Sequence, residues 1–274
     1  RVLEMARRNV VLCALSGRAS KRISEATGQP AYTIAATVQR LGDGTFKLAS
    51  GDLVVVDEAS MVDLRNLYSL VRLLPRGVRL LFAGDPAQLP PIGPGRPFHD
   101  LIEHEAIPKA VLTEVRRKSA SSGIPEIAEA VRYGRLPSLQ PFGCLKTGVS
   151  IVPCTAADTI REITRIGAEL RRGGLDRGDI QTISPIRAGE AGIDAINQHF
   201  HCLRQKKSRS GTFPGRDDIA EGDPVIFTKN DYDRDLQNGS IGRFIRRNGT
   251  DAGCVFDGRN VTLTRFDAAD VELA

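Results

Sequence analysis

The chain has 274 residues, 41% hydrophobic and 26% charged, a globular balance that excludes wholesale disorder and collagen-like repeats. Its apolar runs, such as Leu53-Val54-Val55-Val56, are strand-sized and far short of the ~20 residues of a membrane span, so no membrane partner is expected. The net charge of +5 rests on 30 Arg and 8 Lys, which admits a nucleic-acid partner without requiring one, because a GC-rich genome also enriches Arg.

Length suits two domains and a small third module. Residues 10–14 read as a strand, followed by a helix over 17–26. Leu41-Gly42-Asp43-Gly44-Thr45-Phe46 carries an Asp-Gly turn signal, and a small hairpin insertion is expected about residues 36–51. Residues 53–56 form the next strand, with Ser60 as cap of a helix running to about 73. A third strand spans 79–83, and a loop stiffened by Pro86, Pro90, Pro91, Pro94 and Pro97 follows. A second α/β unit comprises a helix over 123–133, a strand over 149–152, a helix over 155–172, a strand over 180–183 and a helix over 189–203. In its middle helix Ile160, Ile163, Ile166 and Leu170 make one apolar stripe. From Asp223 onward, short β segments punctuated by Asn238-Gly239, Asn248-Gly249 and Asp257-Gly258 read as a small barrel or meander.

Cys13, Cys144, Cys154, Cys202 and Cys254 are odd in number, scattered and free of any Cys-x-x-Cys, which argues against a disulfide framework and for a reducing, cytoplasmic compartment. His199 and His201 lie two apart on a predicted helix, so their rings leave on different faces, which suits a zinc site poorly.

The chemistry concentrates at two strand ends. Asp57-Glu58 closes an apolar strand, where one acid can meet Mg²⁺ and the next can activate water. The same pattern also describes a buried strand leaving the core through solvated charges. Gly84-Asp85-Pro86-Ala87-Gln88, whose Asp85 lies 28 residues after Asp57, follows the next strand. Gln88 offers a donor and an acceptor on a proline-framed loop, which suits a group that reads a terminal phosphate.

Asp57-Glu58-Ala59-Ser60-Met61-Val62-Asp63, followed by Gly84-Asp85-Pro86-Ala87-Gln88-Leu89-Pro90-Pro91-Ile92-Gly93-Pro94-Gly95, resembles motifs II and III of the RecD-like superfamily 1 DNA helicases, relatives of the exonuclease V alpha subunit. Cys13-Ala14-Leu15-Ser16-Gly17-Arg18-Ala19-Ser20 is similar to the family's motif Ia. Ser184-Pro185-Ile186-Arg187 resembles its second-domain motif, and Gly222-Asp223-Pro224-Val225 with Asn238-Gly239 resembles the approach to its small barrel. The resemblance implies an α/β fold of two RecA-like parallel-sheet domains, the first incomplete, with an SH3-like β-barrel appended. It places the domains at 1–110, 111–222 and 223–274.

It also implies ATP and Mg²⁺ as cofactors, with ATP between the two RecA-like domains. Asp57 would hold the metal, Glu58 would be general base, Gln88 phosphate sensor, and Arg117 the guanidinium at the γ-phosphate. Ser16, Gly17, Arg18, Ser184 and Arg187 would face single-stranded DNA. The implied activity is ATP-dependent 5′ to 3′ translocation and unwinding in repair or recombination, with nuclease or recombination subunits as further partners. Phe98 is a candidate stacking residue, with a core aromatic as the competing reading.

The chain departs from the family pattern at Leu15 and Ser16 (Pro and Thr in the family), at Ala35 in place of a His, and at Arg116-Arg117-Lys118 in place of Phe-Arg-Gln. Neither Gly-x-x-x-x-Gly-Lys-Ser/Thr nor Val-His-Lys-Ser-Gln-Gly occurs. The resemblance places the first upstream of Arg1 and the second beyond Ala274, so a core segment with little ATP hydrolysis of its own is expected. Two other readings stay open. One is a non-catalytic DNA-binding or scaffolding subunit, and the other is the helicase portion of a conjugative relaxase.

Overall fold

A computed structural model describes residues 8–112, 123–143, 148–205, 211–231 and 233–274. The chain divides into two compact units. One comprises residues 1–111 with 226–240, and the other residues 112–225 with 241–274.

The first unit is built on a parallel sheet of β1 (Val10–Ala14), β2 (Ala31–Thr33), β3 (Leu53–Asp57) and β4 (Arg79–Phe82) in the order β2-β1-β3-β4. Four helices accompany it: α1 (Gly17–Thr27), α2 (Ile34–Gly42), α3 (Leu64–Val71) and α4 (Pro97–Glu103). Val54 and Val56 of β3 and Val11 and Cys13 of β1 are buried with Ile34, Ala59, Val62, Leu70 and Phe98 in one core. Because all four strands run the same way, every strand-to-helix exit lies at one sheet edge. Such an edge is where open α/β sheets gather their functional loops.

Two local expectations are corrected here. Residues 34–42 form α2 rather than an arm of a hairpin insertion. Ile34, Val38 and Leu41 recur at helical spacing against the core, and Thr33 caps the helix through its hydroxyl, 3.1 Å from the Ala36 amide. The Asp43-Gly44 turn does form, with the Thr45 amide donating to Asp43 Oδ1 at 2.9 Å, but it ends a helix. Ser60 caps nothing. It is buried in the single 3-10 turn Ala59–Met61, and Asp63 caps α3 instead, accepting from the Asn66 amide at 2.7 Å.

The second unit holds α5 (Ile124–Arg132), α6 (Thr159–Arg172) and α7 (Ile193–Gln205), with a short parallel pair, β5 (Gln140–Pro141) and β6 (Ser150–Ile151). The expected strand over 180–183 joins no ladder among the described residues, and Ile183 is exposed. A β-branched run becomes a strand only when a neighbour satisfies its amides and carbonyls.

A five-stranded sheet follows, ordered β10-β9-β8-β7-β11. Its strands are β7 (Pro224–Phe227), β8 (Ser240–Asn248), β9 (Asp251–Phe256), β10 (Arg259–Thr264) and β11 (Val271–Leu273). The β8-β9-β10 run is antiparallel, and the division between the units passes through β7. Phe213, Ile219, Phe244, Phe256, Leu263 and Val271 are buried, and the Phe213 and Phe244 rings pack edge to face at 5.4 Å. Among the described residues no helix is long and apolar enough to cross a membrane.

Candidate active site

β3 delivers Asp57 half-buried at its last position, in register with Ala14 of β1. The next residue breaks the strand. Glu58 has φ 51° and ψ 39°, the left-handed region that costs a non-glycine residue about 1–3 kcal/mol. That turn leaves Glu58 exposed beside Asp57, with the Glu58 amide donating to Asp57 Oδ1 at 2.9 Å. Among the described residues Asp57 Oδ2 makes no hydrogen bond, so one carboxylate oxygen is open to a cation.

The exit of β4 is fastened to this turn. The Ala83 amide donates to the Val56 carbonyl and the Ala59 amide to the Ala83 carbonyl, both at 2.9 Å. The approach is close enough to demand glycine at 84, where a Cβ would lie 2.9 Å from the Ser60 nitrogen and 3.1 Å from that of Ala59. Asp85 then folds the loop back, accepting from the Ala87 amide at its side chain (3.0 Å) and from the Gln88 amide at its carbonyl (3.1 Å). Gln88 is exposed.

The proline-rich remainder lies across the start of α3, with the Leu64 amide donating to the Pro94 carbonyl at 2.9 Å. A Cβ at Gly93 would fall 1.8 Å from Asp63 Oδ2. Asp57, Glu58 and Gln88 therefore share one sheet edge. Arg117, with Arg116 and Lys118, lies outside the described residues.

Ser16, Gly17 and Arg18 leave the same edge after β1. The Ser16 hydroxyl is engaged as the cap of α1, accepting from the Ala19 amide at 3.2 Å. Gly17 is buried, and a Cβ there would sit 2.8 Å from Gln237 Oε1, so Gln237 covers it. Arg18 is exposed. Phe98 is a core aromatic, 7% exposed. Beside α1 a cleft of about 330 Å³ includes Lys21, Tyr32, Arg40 and Gln237 in its lining, with the Arg40 guanidinium 4.3 Å from the Tyr32 ring centroid. The tyrosine carried no motif signal in the sequence.

In the second unit, Ser184 and Arg187 both have partners. The Ser184 hydroxyl donates to the Ala191 carbonyl at 2.9 Å, holding a turn. Arg187 pairs with Glu272 at 2.9 Å, and that carboxylate raises the guanidinium pKa above its ordinary value. His199 meets the Thr164 hydroxyl at 3.2 Å, and His201 meets Asp223 at 2.5 Å. Among the described residues no three His, Cys, Asp or Glu side chains gather as a metal cage. A magnesium ion needs no such cage. One or two carboxylates, water and substrate phosphates suffice, and Asp57 fits that demand.

A profile of the AAA domain family matches residues 1–147, more than half of the chain. The chain belongs to the AAA domain family. Within it, the RecD-like resemblance read from the motifs is borne out. The chain is 32% identical over 269 residues to the ATP-dependent RecD2 DNA helicase of Deinococcus radiodurans, covering 96% of this chain and 36% of that protein. It is 23% identical to the RecBCD enzyme subunit RecD of Haemophilus influenzae, over 70% of this chain and 39% of that one. A 24% match to the conjugal transfer protein TraA of Agrobacterium fabrum covers 88% of this chain and 22% of the relative. This AAA-family chain thus spans well under half the length of each of these curated relatives. A solved structure of two coordinating Pif1 helicases at forked double-stranded DNA matches with TM-score 0.52 and 16% identity, over 94% of this chain and 66% of that one, and shows the fold.

Proposed function

We propose that this chain is the core of an ATP-dependent DNA helicase of RecD type, moving 5′ to 3′ on single-stranded DNA. The observation that carries the reading is the shared sheet edge. Asp57-Glu58 and the Gln88 loop come from adjacent parallel strands, β3 and β4, and the backbone bonds at Ala59 and Ala83 tie the two exits together. A scaffold has no physical need for an acid, a base and a phosphate-reading amide at one edge.

In this reading Asp57 would hold Mg²⁺. The ion supplies neutralisation of phosphate charge when bound. Glu58, exposed beside it, accepts the proton of the attacking water. Gln88 contacts the γ-phosphate and loses that contact on hydrolysis, and Arg117 stabilises charge on the transferring phosphoryl oxygens. Arg18 contacts the DNA backbone with Ser16, Gly17, Ser184 and Arg187. Ser16 and Gly17 do so through the backbone at the head of α1, since Gln237 covers the α-carbon of Gly17 and capping occupies the Ser16 hydroxyl.

We assign RecA-like domains to 1–110 and 111–222 and an SH3-like module to 223–274. Nuclease or recombination subunits are further partners in this reading, as RecD is a subunit of the RecBCD enzyme in Haemophilus influenzae. A reducing cytoplasm suits the free Cys13, Cys154, Cys202 and Cys254. The similarity to TraA favours one second reading, the helicase portion of a conjugal transfer protein, which a nuclease domain with a catalytic tyrosine elsewhere in the full-length protein would reveal.

The test is ATP hydrolysis by the full-length protein with and without single-stranded DNA, beside Glu58→Gln. Stimulation by DNA and a loss of at least about 100-fold in the variant are expected. No hydrolysis by the full-length protein would sink the motor and promote the scaffold. Single-strand affinity should also fall steeply between low and physiological salt.

A further inference from the structure

Gln88 sits on an exposed loop, yet a residue that reads one phosphate must be held in place by what lies beneath it. Asp85 makes the local turn, and Pro94 docks the far end of the loop on α3. Between them lies a tertiary contact near the glutamine: His99 Nε2 is 3.1 Å from the Pro86 carbonyl. A carbonyl only accepts, so His99 presents Nε2–H to it, which leaves Nδ1 as the ring's other nitrogen. That Nδ1 is buried and has no hydrogen-bond partner among the described residues.

Packing alone would be served as well by an apolar ring, which would leave no buried nitrogen unpaired. What the imidazole adds is the N–H toward Pro86. The backbone carrying it is fixed in turn. Pro97 and Phe98 are buried at the start of α4, and a Cβ on Gly84 would lie 3.3 Å from Phe98 Cε1. Core, helix start, imidazole and loop thus form one chain of contacts ending two residues before Gln88.

We propose that His99 is a positioning residue for the Gln88 loop, holding the Pro86 carbonyl so that the glutamine is presented to the γ-phosphate. The proposal rests on the nucleotide reading of the site above. In the full-length protein, His99→Phe keeps a ring and removes the donor, while His99→Gln restores an N–H at similar reach. His99→Phe should lower the DNA-stimulated turnover number about tenfold with KM for ATP changed less than about twofold, and His99→Gln should recover most of it. Hydrogen exchange at the Ala87 and Gln88 amides should quicken in His99→Phe and not in His99→Gln.

Wild-type turnover in His99→Phe overturns the proposal. Equal loss in both variants, with exchange unchanged, overturns it too. If the wild type hydrolyses no ATP, the nucleotide reading fails by itself, and exchange alone judges the anchor. Quicker loop amides in His99→Phe then uphold it, and unchanged ones overturn it.

Discussion

Gly84→Ala probes the joint between the two halves of the candidate site. The new methyl would meet two backbone nitrogens, Ser60 at 2.9 Å and Ala59 at 3.1 Å, where ordinary contact begins near 3.4 Å. Neither can step aside as a flexible side chain would, because the Ala59 amide is bonded to the Ala83 carbonyl at 2.9 Å. Relief requires the β4 exit to move from the Glu58 turn by about half an ångström. Overpacking of this kind costs about 1–3 kcal/mol, which in a chain of this length lowers Tm by roughly 5 °C. The displacement falls between Glu58 and Gln88, so DNA-stimulated ATP turnover in the full-length protein should drop at least about tenfold. Gly42→Ala is the control. It adds a methyl at the end of α2 with nothing within 4 Å and no left-handed backbone, and it should leave Tm equal or slightly raised. A Gly84→Ala protein with wild-type Tm and turnover would refute the claim that the strand exits are mechanically joined.

Three other expectations concern the scaffold. Asp52 is buried beneath β3 and accepts from the amides of Ala49 (2.8 Å) and Asn9 (2.9 Å) and from Asn9 Nδ2 (3.1 Å). These bonds, that of Ala49 foremost, hold its pKa below the ordinary value. A depressed carboxylate pKa stabilises above the unfolded value of about 3.9, and the contribution is lost as pH falls through the folded one. Asp52→Asn should therefore melt lower at pH 7, with the gap narrowing below about pH 4 in paired melts; a gap independent of pH would count against this. Asp223 accepts from buried His201, from Arg204 and from the Ala220 amide. Asp223→Ala strands those donors and should cost about 3–5 kcal/mol in urea unfolding, whereas a loss under about 1 kcal/mol would show the network to be dispensable. Burial pushes the thiols of Cys13 and Cys254 up to about 12, so a thiol reagent at pH 8 should label exposed Cys154 well before these two, which it should reach only on unfolding. Equal native rates would refute the burial.

Much of the site was legible in order along the chain. Asp57 and Glu58 stand out because a strand inside a parallel sheet reads as an apolar run, and its first charges mark where it leaves the core. Gln88 stands out because prolines and glycines fix its loop locally. The errors share a cause as well. The Asp43-Gly44 signal for a hairpin was sound as a turn, but the helical spacing of Ile34, Val38 and Leu41 against the core determined what the turn closes. The run over 180–183 has strand propensity and no neighbour among the described residues to pair with.

The sequence by itself therefore determined the quantities set by near neighbours: three of the four strands of the first sheet, most helix positions, the acidic pair and the proline-framed Gln88 loop. Tertiary structure decided what depends on partners far along the chain. It placed β1, β3 and β4 side by side, so that residues separated by dozens of positions share one edge. It laid Gln237 over Gly17, gave Arg187 to Glu272 and set His99 under Pro86. Local signals arise from backbone sterics and the period of side-chain burial, which a short window contains. A hydrogen bond or close approach between distant segments leaves no such period, because it needs only one residue at each end.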